Sequence, residues 1–237
     1  MNGKTDVQKK ILVKLMHNQG LRYNELWNKE CESNKFNYHL QKLVETGIIK
    51  KEEEKYCLTV KGKKLVTSLE GATGEEKSKP VVCVFILGHL TKEDKILAHL
   101  RKKEPFYDFA GIIAGKVEFG ETPKNAAEME FKEETGLSGN LKLKTVTNYV
   151  TEVNSELMHH VIAFTYLCEN PSGELVSKHR EGENVWMTFG EFKKLKRFPE
   201  IDNLIEKTLQ KNNAVNFLNS KRTQEGDLLT SEMIDEF

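Results

Sequence analysis

Apolar residues recur at helical spacing through the first third of the chain. The run from Val7 to Met16 predicts a first helix, and Phe36 and Leu40 lie on one side of a later one. Thr59 has a side chain that can cap a further helix. The predicted order is helix, helix, helix, β-ribbon, helix, with helices over 7–16, 23–29, 33–47 and 60–69 and strands over 48–50 and 55–58.

A polar segment without large apolar residues separates this part from the rest. It reads EGATGEEKSKP and ends at Pro80, which cannot continue a helix. Beyond it the pattern changes to buried runs that are typical of strands, beginning with VVCVFILGHL at Val81–Leu90. Further strands are predicted over 95–100, 141–151, 159–168 and 184–188, an extended segment over 107–117, and helices over 122–135, 190–195 and 200–211.

The apolar residues of the tail recur at neither helical nor strand spacing, because polar residues mix there with only a few apolar ones. We therefore expect either weak order or a helix that docks on a partner. The chain accordingly divides into a domain over 1–70, a linker over 71–80, a domain over 81–211 and the tail over 212–237.

The composition excludes several classes of protein. Of 237 residues, 38% are apolar and 30% charged, and no apolar run approaches the roughly 18 residues of a membrane span. The N-terminus lacks the apolar block of a signal peptide. Four scattered cysteines form no CxxC pair, so neither a zinc site nor a disulfide framework is indicated. We expect a cytoplasmic protein with reduced thiols and no membrane partner.

The formal net charge of zero conceals an asymmetry along the chain. Residues 1–72 carry 14 Lys or Arg against 9 Asp or Glu, a net +5, and the remainder carries 22 against 27, a net −5. A basic front part suits contact with nucleic acid, and an acidic back part suits cation binding. Solvated surfaces often show the same imbalance, so it supports these functions only together with motifs.

A cluster of glutamates lies on the helix predicted over 122–135, for which Thr122 is a suitable N-cap. Glu130, Glu133 and Glu134 stand at i, i+3 and i+4, so their carboxylates project from one face and repel one another. A hard divalent cation such as Mg²⁺ or Mn²⁺ takes oxygen ligands and would relieve that repulsion. Such an ion would also bridge phosphate oxygens and activate water. The alternative is a solvated acidic helix face.

The flanking residues favour the metal site, because GKVEFGETPKNAAEMEFKEETGL resembles the Nudix box. That motif is Gly-x5-Glu-x7-Arg-Glu-U-x-Glu-Glu-x-Gly-U, in which U is a bulky apolar residue. The positions in register are Gly115, Glu121, Glu130, Phe131, Glu133, Glu134, Gly136 and Leu137. The resemblance implies an α/β/α sandwich with a mixed sheet, and cleavage of the pyrophosphate in a nucleoside diphosphate linked to a moiety X.

The same resemblance implies a role for each polar residue of the motif. Glu130, Glu133 and Glu134 would be catalytic residues that bind the metal or polarise the attacking water. Glu121 would assist through the metal shell, and the carbonyl oxygen of Gly115 would complete the coordination. The implied cofactor is Mg²⁺ or Mn²⁺, and the implied partner is a nucleoside diphosphate derivative.

Two positions depart from the family pattern. Met129 replaces the arginine of the motif, and the usual Pro-Gly-Gly lead-in reads Ile113-Ala114-Gly115. By resemblance that arginine holds the glutamates in place, and losing such an orienting residue typically costs about one or two orders of magnitude in affinity or activity. Two functions therefore stay open: a weakened hydrolase, and a nucleotide sensor that binds its ligand without turnover.

Three residues outside the motif are candidates for substrate contacts. Phe109 could stack on a nucleobase. His159 and His160 precede an apolar strand, so one of them faces the core and the other faces out; His160 is the candidate. Glu181 lies where many Nudix proteins place a late glutamate near the metal. Core packing, a surface histidine and an exposed loop charge are the respective alternatives.

Helix, helix, helix and charged ribbon is the order of a winged helix-turn-helix. The segment ESNKFNYHLQKLVETGIIKKEEEKYCLTVKGKKL resembles dimeric winged-helix regulators of bacteria and archaea, whose third helix enters the major groove. The resemblance implies a homodimer that contacts DNA through residues 1–70. Its DNA-facing residues would be Lys35, Asn37, Tyr38, Gln41, Lys42 and, at the wing, Lys51. Glu52–Glu54 place negative charge at the wing tip, which leaves open a module that contacts protein instead.

The fold class predicted from all these features is α+β followed by α/β. A winged helix-turn-helix comes first, and a Nudix sandwich follows. The leading functional hypothesis is a metal-dependent hydrolase fused to a DNA-binding module. The alternative is a transcriptional regulator in which a catalytically weak or inactive Nudix domain senses a nucleotide and shifts the affinity for DNA.

Overall fold

The computed structural model separates the chain into two compact units, Met1–Ser78 and Lys79–Phe237. The residues it describes are 5–27, 29, 31–67, 69, 78–103, 106–225 and 228–236. Most of the predicted linker, namely positions 71–77, lies outside the described residues. Each unit has its own apolar core and is described here by itself.

The described part of the first unit contains four helices and a small antiparallel sheet. Its elements in chain order are α1 (Asp6–Met16), β1 (Leu21–Arg22), α2 (Tyr23–Leu26), α3 (Ser33–Glu45), β2 (Ile49–Glu52), β3 (Lys55–Leu58) and α4 (Val60–Val66). The strand order is β1-β3-β2. The elements follow the predicted sequence of helices and ribbon, and β1 joins the ribbon as a third strand that was not predicted.

Local sequence explains where α1 begins and which face it buries. The Thr5 hydroxyl accepts a hydrogen bond from the backbone N–H of Gln8 at 3.4 Å, and the Gln8 side chain accepts one from the Thr5 N–H at 3.3 Å. This reciprocal pair is a capping box. The apolar stripe of the helix then packs into a core shared with α2, α3 and the ribbon, which includes Ile11, Leu12, Leu15, Leu26, Phe36, Leu40, Leu43 and Ile49.

The second unit is built on a long mixed sheet. Its first elements are β4 (Val81–Leu90), β5 (Lys95–Arg101), β6 (Ala110–Gly111), β7 (Ile113–Lys116), α5 (Pro123–Thr135), β8 (Leu141–Val153) and β9 (Glu156–Glu169). The remaining elements are β10 (Lys178–His179), β11 (Gly182–Thr188), α6 (Phe189–Phe192), α7 (Ile201–Leu209), β12 (Asn216–Glu225) and β13 (Leu228–Glu236). The sheet order is β10-β11-β5-β4-β9-β8-β12-β13, with β6 paired to β5 and β7 to β4.

The sheet is mixed because β4 pairs with β9, and β8 with β12, in parallel, while the other pairs are antiparallel. Successive side chains of a strand point to opposite faces. Accordingly Val84 and Ile86 share a cluster with Phe131 of α5, whereas Leu87 belongs to a second cluster with Ile205 of α7. The sheet therefore lies between two helical layers, and the predicted α/β/α sandwich with a mixed sheet is confirmed.

The structure corrects the prediction for the tail. Its described residues are neither weakly ordered nor helical over Asn216–Glu225 and Leu228–Glu236, since β12 and β13 pair with each other and extend the sheet. β12 lies parallel to β8, from Asn216 beside Thr145 to Gln224 beside Val153. The inward side chains of β12 include a serine and an arginine as well as a leucine, so hydrophobic alternation does not mark the strand.

No helix among the described residues is long and apolar enough to cross a membrane. Cys31, Cys57, Cys83 and Cys168 are free thiols, and Cys168 is buried.

Candidate active site

The helix α5 carries the predicted glutamates, and its ends have the predicted caps. The Thr122 hydroxyl accepts a hydrogen bond from the backbone N–H of Asn125 at 3.3 Å, and Pro123 occupies the first turn. Gly136 ends the helix with φ 72°, in the left-handed region that favours glycine. These caps hold α5 in one register, which determines the direction in which each glutamate points.

Close packing between α5 and β7 brings the glutamates to the sheet. A Cβ atom at Gly115 would overlap the side chain of Glu130, so a larger residue there would require that side chain to move. Gly115 lies opposite Val84 of β4 in the sheet. The position predicted from the motif to be a backbone ligand therefore lies directly against the side chain of Glu130.

These elements enclose a cleft of about 510 Å³. The structure brings together on its walls all five residues predicted to hold the metal or activate water: Gly115, Glu121, Glu130, Glu133 and Glu134. Glu118 and Glu181 add two further carboxylates, and the basic side chains of the lining are Lys103, Lys116, His179 and Arg180. The cleft thus offers oxygen ligands for a cation beside cationic groups for an anion.

The three glutamates of α5 differ in their exposure to solvent. Glu134 is only 7% exposed, Glu130 is half-buried and Glu133 is exposed. Burial raises the pKa of Glu134 to about 7, and the charges of Glu130 and other carboxylates add to that increase. Burial also raises the pKa of Glu130, with Glu133 as the next contribution. The neighbouring carboxylates of the cleft therefore repel one another when they are ionised.

Glu181 has the opposite electrostatic environment. Lys103 donates a hydrogen bond to its carboxylate at 2.8 Å, and this bond lowers the pKa of Glu181. Arg180 lies 3.6 Å from the same carboxylate. Glu181 thus remains ionised at a pH where Glu134 is partly protonated.

The donor set of the cleft fits a hard divalent cation, because carboxylate and carbonyl oxygens are the ligands that Mg²⁺ and Mn²⁺ prefer. The raised pKa values of Glu130 and Glu134 identify the repulsion that such a charge would offset. Within the described part of the chain, however, no three His, Cys, Asp or Glu side chains converge closely enough to share one ion.

A second cavity, of about 260 Å³, adjoins the cleft. Its walls contain the aromatic rings of Phe85, Phe106, Tyr149 and Phe198. Ala114, Glu134 and Glu181 line both spaces. The two spaces therefore meet at the buried glutamate of α5, and the predicted candidate Glu181 stands at that junction.

Phe109, predicted to contact substrate, does not line either space. Its ring packs against those of Phe106 and Phe198, at centroid distances of 5.5 and 5.1 Å. Those two rings line the cavity instead. Phe109 thus packs behind the two rings that line the cavity, because the turn that contains it folds back onto the segment before α7.

His160 was predicted as the substrate-contacting histidine, but it lies away from both spaces. His160 lies 2.7 Å from the side-chain oxygen of Asn148 and lines neither space, whereas His159 lines the cavity. The two residues are neighbours on β9, so their side chains leave opposite faces of the sheet. The sequence predicted that the two side chains lie on opposite faces of the sheet, but it did not predict which face borders the cavity.

Sequence reasoning missed Arg222, which is 8% exposed and lines the cavity. Its guanidinium lies 4.5 Å from the ring centroid of Phe198 and 5.2 Å from that of Tyr149. It also forms an ion pair with Glu200. The arginine lies on β12, in the tail to which no strand was assigned, and no motif in the sequence indicates it.

The first unit presents all six predicted DNA-facing residues on its surface. Five of them lie on α3 and are exposed, while Phe36, His39, Leu40 and Leu43 of the same helix are buried. The exposed five are Lys35, Asn37, Tyr38, Gln41 and Lys42. Lys51 on β2 is also exposed, with its ammonium 5.9 Å from the ring centroid of Tyr56.

Comparison with known proteins found a family model that matches most of each unit. Residues 77–208 match the model of the NUDIX domain, and residues 5–69 match a domain of unknown function, DUF7347. The ADP-ribose pyrophosphatase of Methanocaldococcus jannaschii is 30% identical over 135 residues, which cover 51% of this chain and 77% of that protein. The uncharacterized Nudix hydrolase YvcI of Bacillus subtilis is 26% identical over 111 residues, covering 46% and 68%.

A solved structure supports the same fold for the second unit. The MutT protein of Bacillus halodurans superimposes with a TM-score of 0.54 at 18% identity, and the match covers 66% of this chain and 96% of that one.

The buried charge of Glu134 leads to a prediction about stability without metal. A carboxyl whose folded pKa is about 7, above its ordinary 4.5, favours folding at low pH, and this advantage is lost as the pH rises through 7. Glu134→Gln should therefore stabilise the second unit in EDTA at pH 8, by on the order of 1–3 kcal/mol, and by much less at pH 5. Urea unfolding followed by Trp186 fluorescence in a Trp27→Phe background measures the difference.

The matched control is Glu128→Gln, since Glu128 is exposed on the same helix and outside the cleft. It should change the stability little at either pH. Destabilisation by Glu134→Gln at pH 8, or an equal effect at both pH values, would contradict the electrostatic account.

Proposed function

We propose a reaction for this chain on the premise that it belongs to the Nudix family and is a pyrophosphohydrolase. The proposed reaction is metal-dependent hydrolysis of a nucleoside diphosphate linked to a moiety X, which releases a nucleotide and phosphorylated X. ADP-ribose is the proposed substrate, and the similarity to an ADP-ribose pyrophosphatase supports it. The observation that carries the proposal is the acidic cleft opening, at Glu134 and Glu181, into an aromatic cavity.

The charge distribution of the cleft supports a diphosphate as the reacting group. Lys103, Lys116 and Arg180 line the same space as the glutamates. Lysine and arginine donate charge-assisted hydrogen bonds to phosphate oxygens, and arginine can do so with two parallel bonds. A linear diphosphate can therefore meet cationic side chains on one side while the carboxylates remain available on the other.

The proposed cofactor is Mg²⁺ or Mn²⁺, which would be held by Glu130, Glu133 and Glu134, with Glu121 and the Gly115 carbonyl beside them. When bound, the cation supplies charge neutralisation for the diphosphate and activation of water. Glu134 is buried at the junction of cleft and cavity, and we assign it to accept the proton of the attacking water. Lys103 keeps Glu181 ionised and oriented.

Met129 bears on the rate of the reaction. Its side chain is 62% exposed and lines the cleft between the glutamates and solvent. The thioether of Met129 cannot donate a hydrogen bond that would hold a carboxylate in place. We therefore propose slow turnover, in which the glutamates are ordered by the bound ion and substrate and not by a neighbouring arginine.

For the first unit we propose DNA binding by a winged helix-turn-helix. The six exposed residues of α3 and β2 named above support it, because they include three cations and three side chains able to form hydrogen bonds with DNA. Lys42 and Lys50 have acidic partners, Glu45 and Glu52, which reduce the positive potential. Such modules bind as dimers, so a homodimer remains part of the proposal. If the second unit is a nucleotide sensor, ligand binding there would change the affinity of the first unit for DNA.

Turnover can be tested with a panel that contains ADP-ribose, NADH, sugar nucleotides and oxidised nucleotides, each with Mg²⁺ or Mn²⁺. We expect AMP release from ADP-ribose that EDTA abolishes and that Glu133→Gln or Glu134→Gln lowers by about 100-fold or more, as the loss of an electrostatic group at a reacting centre does. Glu128→Gln is the control on the same helix and should retain activity. If nothing in the panel turns over and Glu134→Gln changes nothing, the hydrolase proposal fails.

Restoring the motif arginine tests the role of position 129. Met129→Arg should raise kcat/KM by about 10- to 100-fold at limiting Mg²⁺, because the guanidinium would orient the carboxylates. The control is Met129→Leu, which keeps an apolar side chain of similar size and should leave the rate unchanged. An unchanged rate in the arginine variant would show that the missing residue does not limit turnover.

A gel shift with the upstream region of the gene tests DNA binding. The dissociation constant should increase steeply with salt, as it does when lysines displace counterions from phosphates. Lys35→Ala and Lys42→Ala should weaken binding, whereas Lys63→Ala on α4 should not. Binding that is absent, or that ignores salt, would exclude the DNA-binding proposal for this unit.

A further inference from the structure

We propose that the hairpin β12–β13, together with Glu200, forms the part of the substrate site that recognises the nucleobase, and that this base is an amino-bearing purine such as adenine. The inference rests on the proposed function, which it makes more specific. The hairpin lies beyond residues 77–208, the part of the chain that matches the family model. The recognition would therefore combine residues of the matched region, such as Glu200, with residues beyond it, such as Arg222.

The parallel pairing of β8 and β12 builds one wall of the cavity. Alternate residues of the two strands stand side by side, and all of them line the cavity. The pairs are Thr147 with Leu218, Tyr149 with Ser220, and Thr151 with Arg222. Without β12, this wall would lack half of its side chains and Arg222 would be absent.

Arg222 is held in place before any ligand arrives. Its guanidinium contacts Phe198 and Tyr149 as described, and it lies 5.8 Å from the ring centroid of Phe106. Its ion pair with Glu200 fixes one end of both side chains. Binding to groups that are already ordered loses less conformational entropy, so a preorganised arginine of this kind suits recognition.

Several buried polar atoms around this pair have no hydrogen-bond partner within the described structure. They are Nε of Arg222, Oε2 of Glu200 and the hydroxyls of Thr147 and Thr151. Buried polar groups nearly always have a partner, so four of them on residues that line one cavity indicate a polar ligand. The guanidinium N–H is a donor and the adjacent carboxylate oxygen is an acceptor. Adenine presents the complementary pair, a ring nitrogen beside an amino group.

The remaining walls suit the faces of a planar ring. Phe85 and Tyr149 are nearly parallel, with 23° between their planes and 6.3 Å between centroids, and both line the cavity. Nucleobases stack on such rings. At about 260 Å³ the cavity lies near the lower limit of ligand pockets, about 300 Å³, so it suits a base and not a whole dinucleotide. A base in this cavity would place the diphosphate towards Glu134 and Glu181.

The substitution Glu200→Gln tests the assignment. Arg222 only donates hydrogen bonds, so the oxygen of the introduced amide must face it and the amide NH₂ replaces the free acceptor. Adenine has an amino group where hypoxanthine has a carbonyl oxygen. Calorimetry with the full chain should therefore show AMP binding at least 10-fold tighter than IMP in the original protein. In the Glu200→Gln variant this ratio should fall at least 10-fold.

Glu206→Gln is the matched control, because Glu206 lies on α7 and forms an exposed ion pair with Lys193 at 2.9 Å, outside the cavity. It should keep the original ratio. A ratio unchanged by Glu200→Gln, or the absence of AMP binding, would overturn the inference. If the AMP preference appears and changes as expected while ADP-ribose is not hydrolysed, the base site stands and the proposed reaction fails. Hydrolysis with an unaltered base preference would overturn the base site alone.

A second variant covers the case in which Glu200→Gln does not fold. Thr151→Val keeps the side-chain shape and removes a buried hydroxyl without a partner, so the free protein should melt at a higher temperature. If that hydroxyl meets the nucleotide, AMP affinity should fall about 5- to 10-fold, as for the loss of one hydrogen bond. Unchanged AMP affinity with a raised melting temperature would count against the site.

Discussion

Burial of neighbouring carboxylates is the constraint on which the candidate active site depends. Glycine at position 115 leaves room for the side chain of Glu130 against β7, and Glu134 is buried on the same helix. The raised pKa values of both residues are the electrostatic consequence. A fold that keeps carboxylates together is suited to bind a cation. The basic side chains of the same cleft make it suited to bind an anionic substrate as well.

The parallel pairing of β8 with β12 completes the other half of the site. The matched Nudix segment ends at residue 208, yet the cavity next to the glutamates takes one wall from residues beyond it. Arg222 is the central group of this wall, since it joins three aromatic rings and Glu200 in one contact network. The glutamates of the cleft and this wall of the cavity thus come from different parts of the chain, the former from α5 and the latter from β8 and β12.

The first unit shows how one helix can serve two purposes. Apolar residues of α3 complete a core with α1 and the ribbon, and the intervening polar residues remain exposed. Lysines there suit contact with phosphates, although Glu45 and Glu52 pair with two of the lysines of α3 and β2. Two chemistries, binding of nucleic acid and cleavage of a nucleotide, are therefore proposed for two separately folded units.

The sequence by itself determined the features that depend on local spacing. These are the N-cap and glutamate face of α5, the strands β4 and β3 with the bounds expected, and the order of helices and ribbon in the first unit apart from β1. Only the tertiary structure decided what depends on distant residues. Which of His159 and His160 lines the cavity follows from the face that β9 turns towards it. The strand character of β12 follows from pairing with β8, some 70 residues earlier, and that of β13 from pairing with β12. Polar residues that line a cavity need not alternate with apolar residues along the sequence. Arg222 and Glu200 could therefore be identified only from the folded structure.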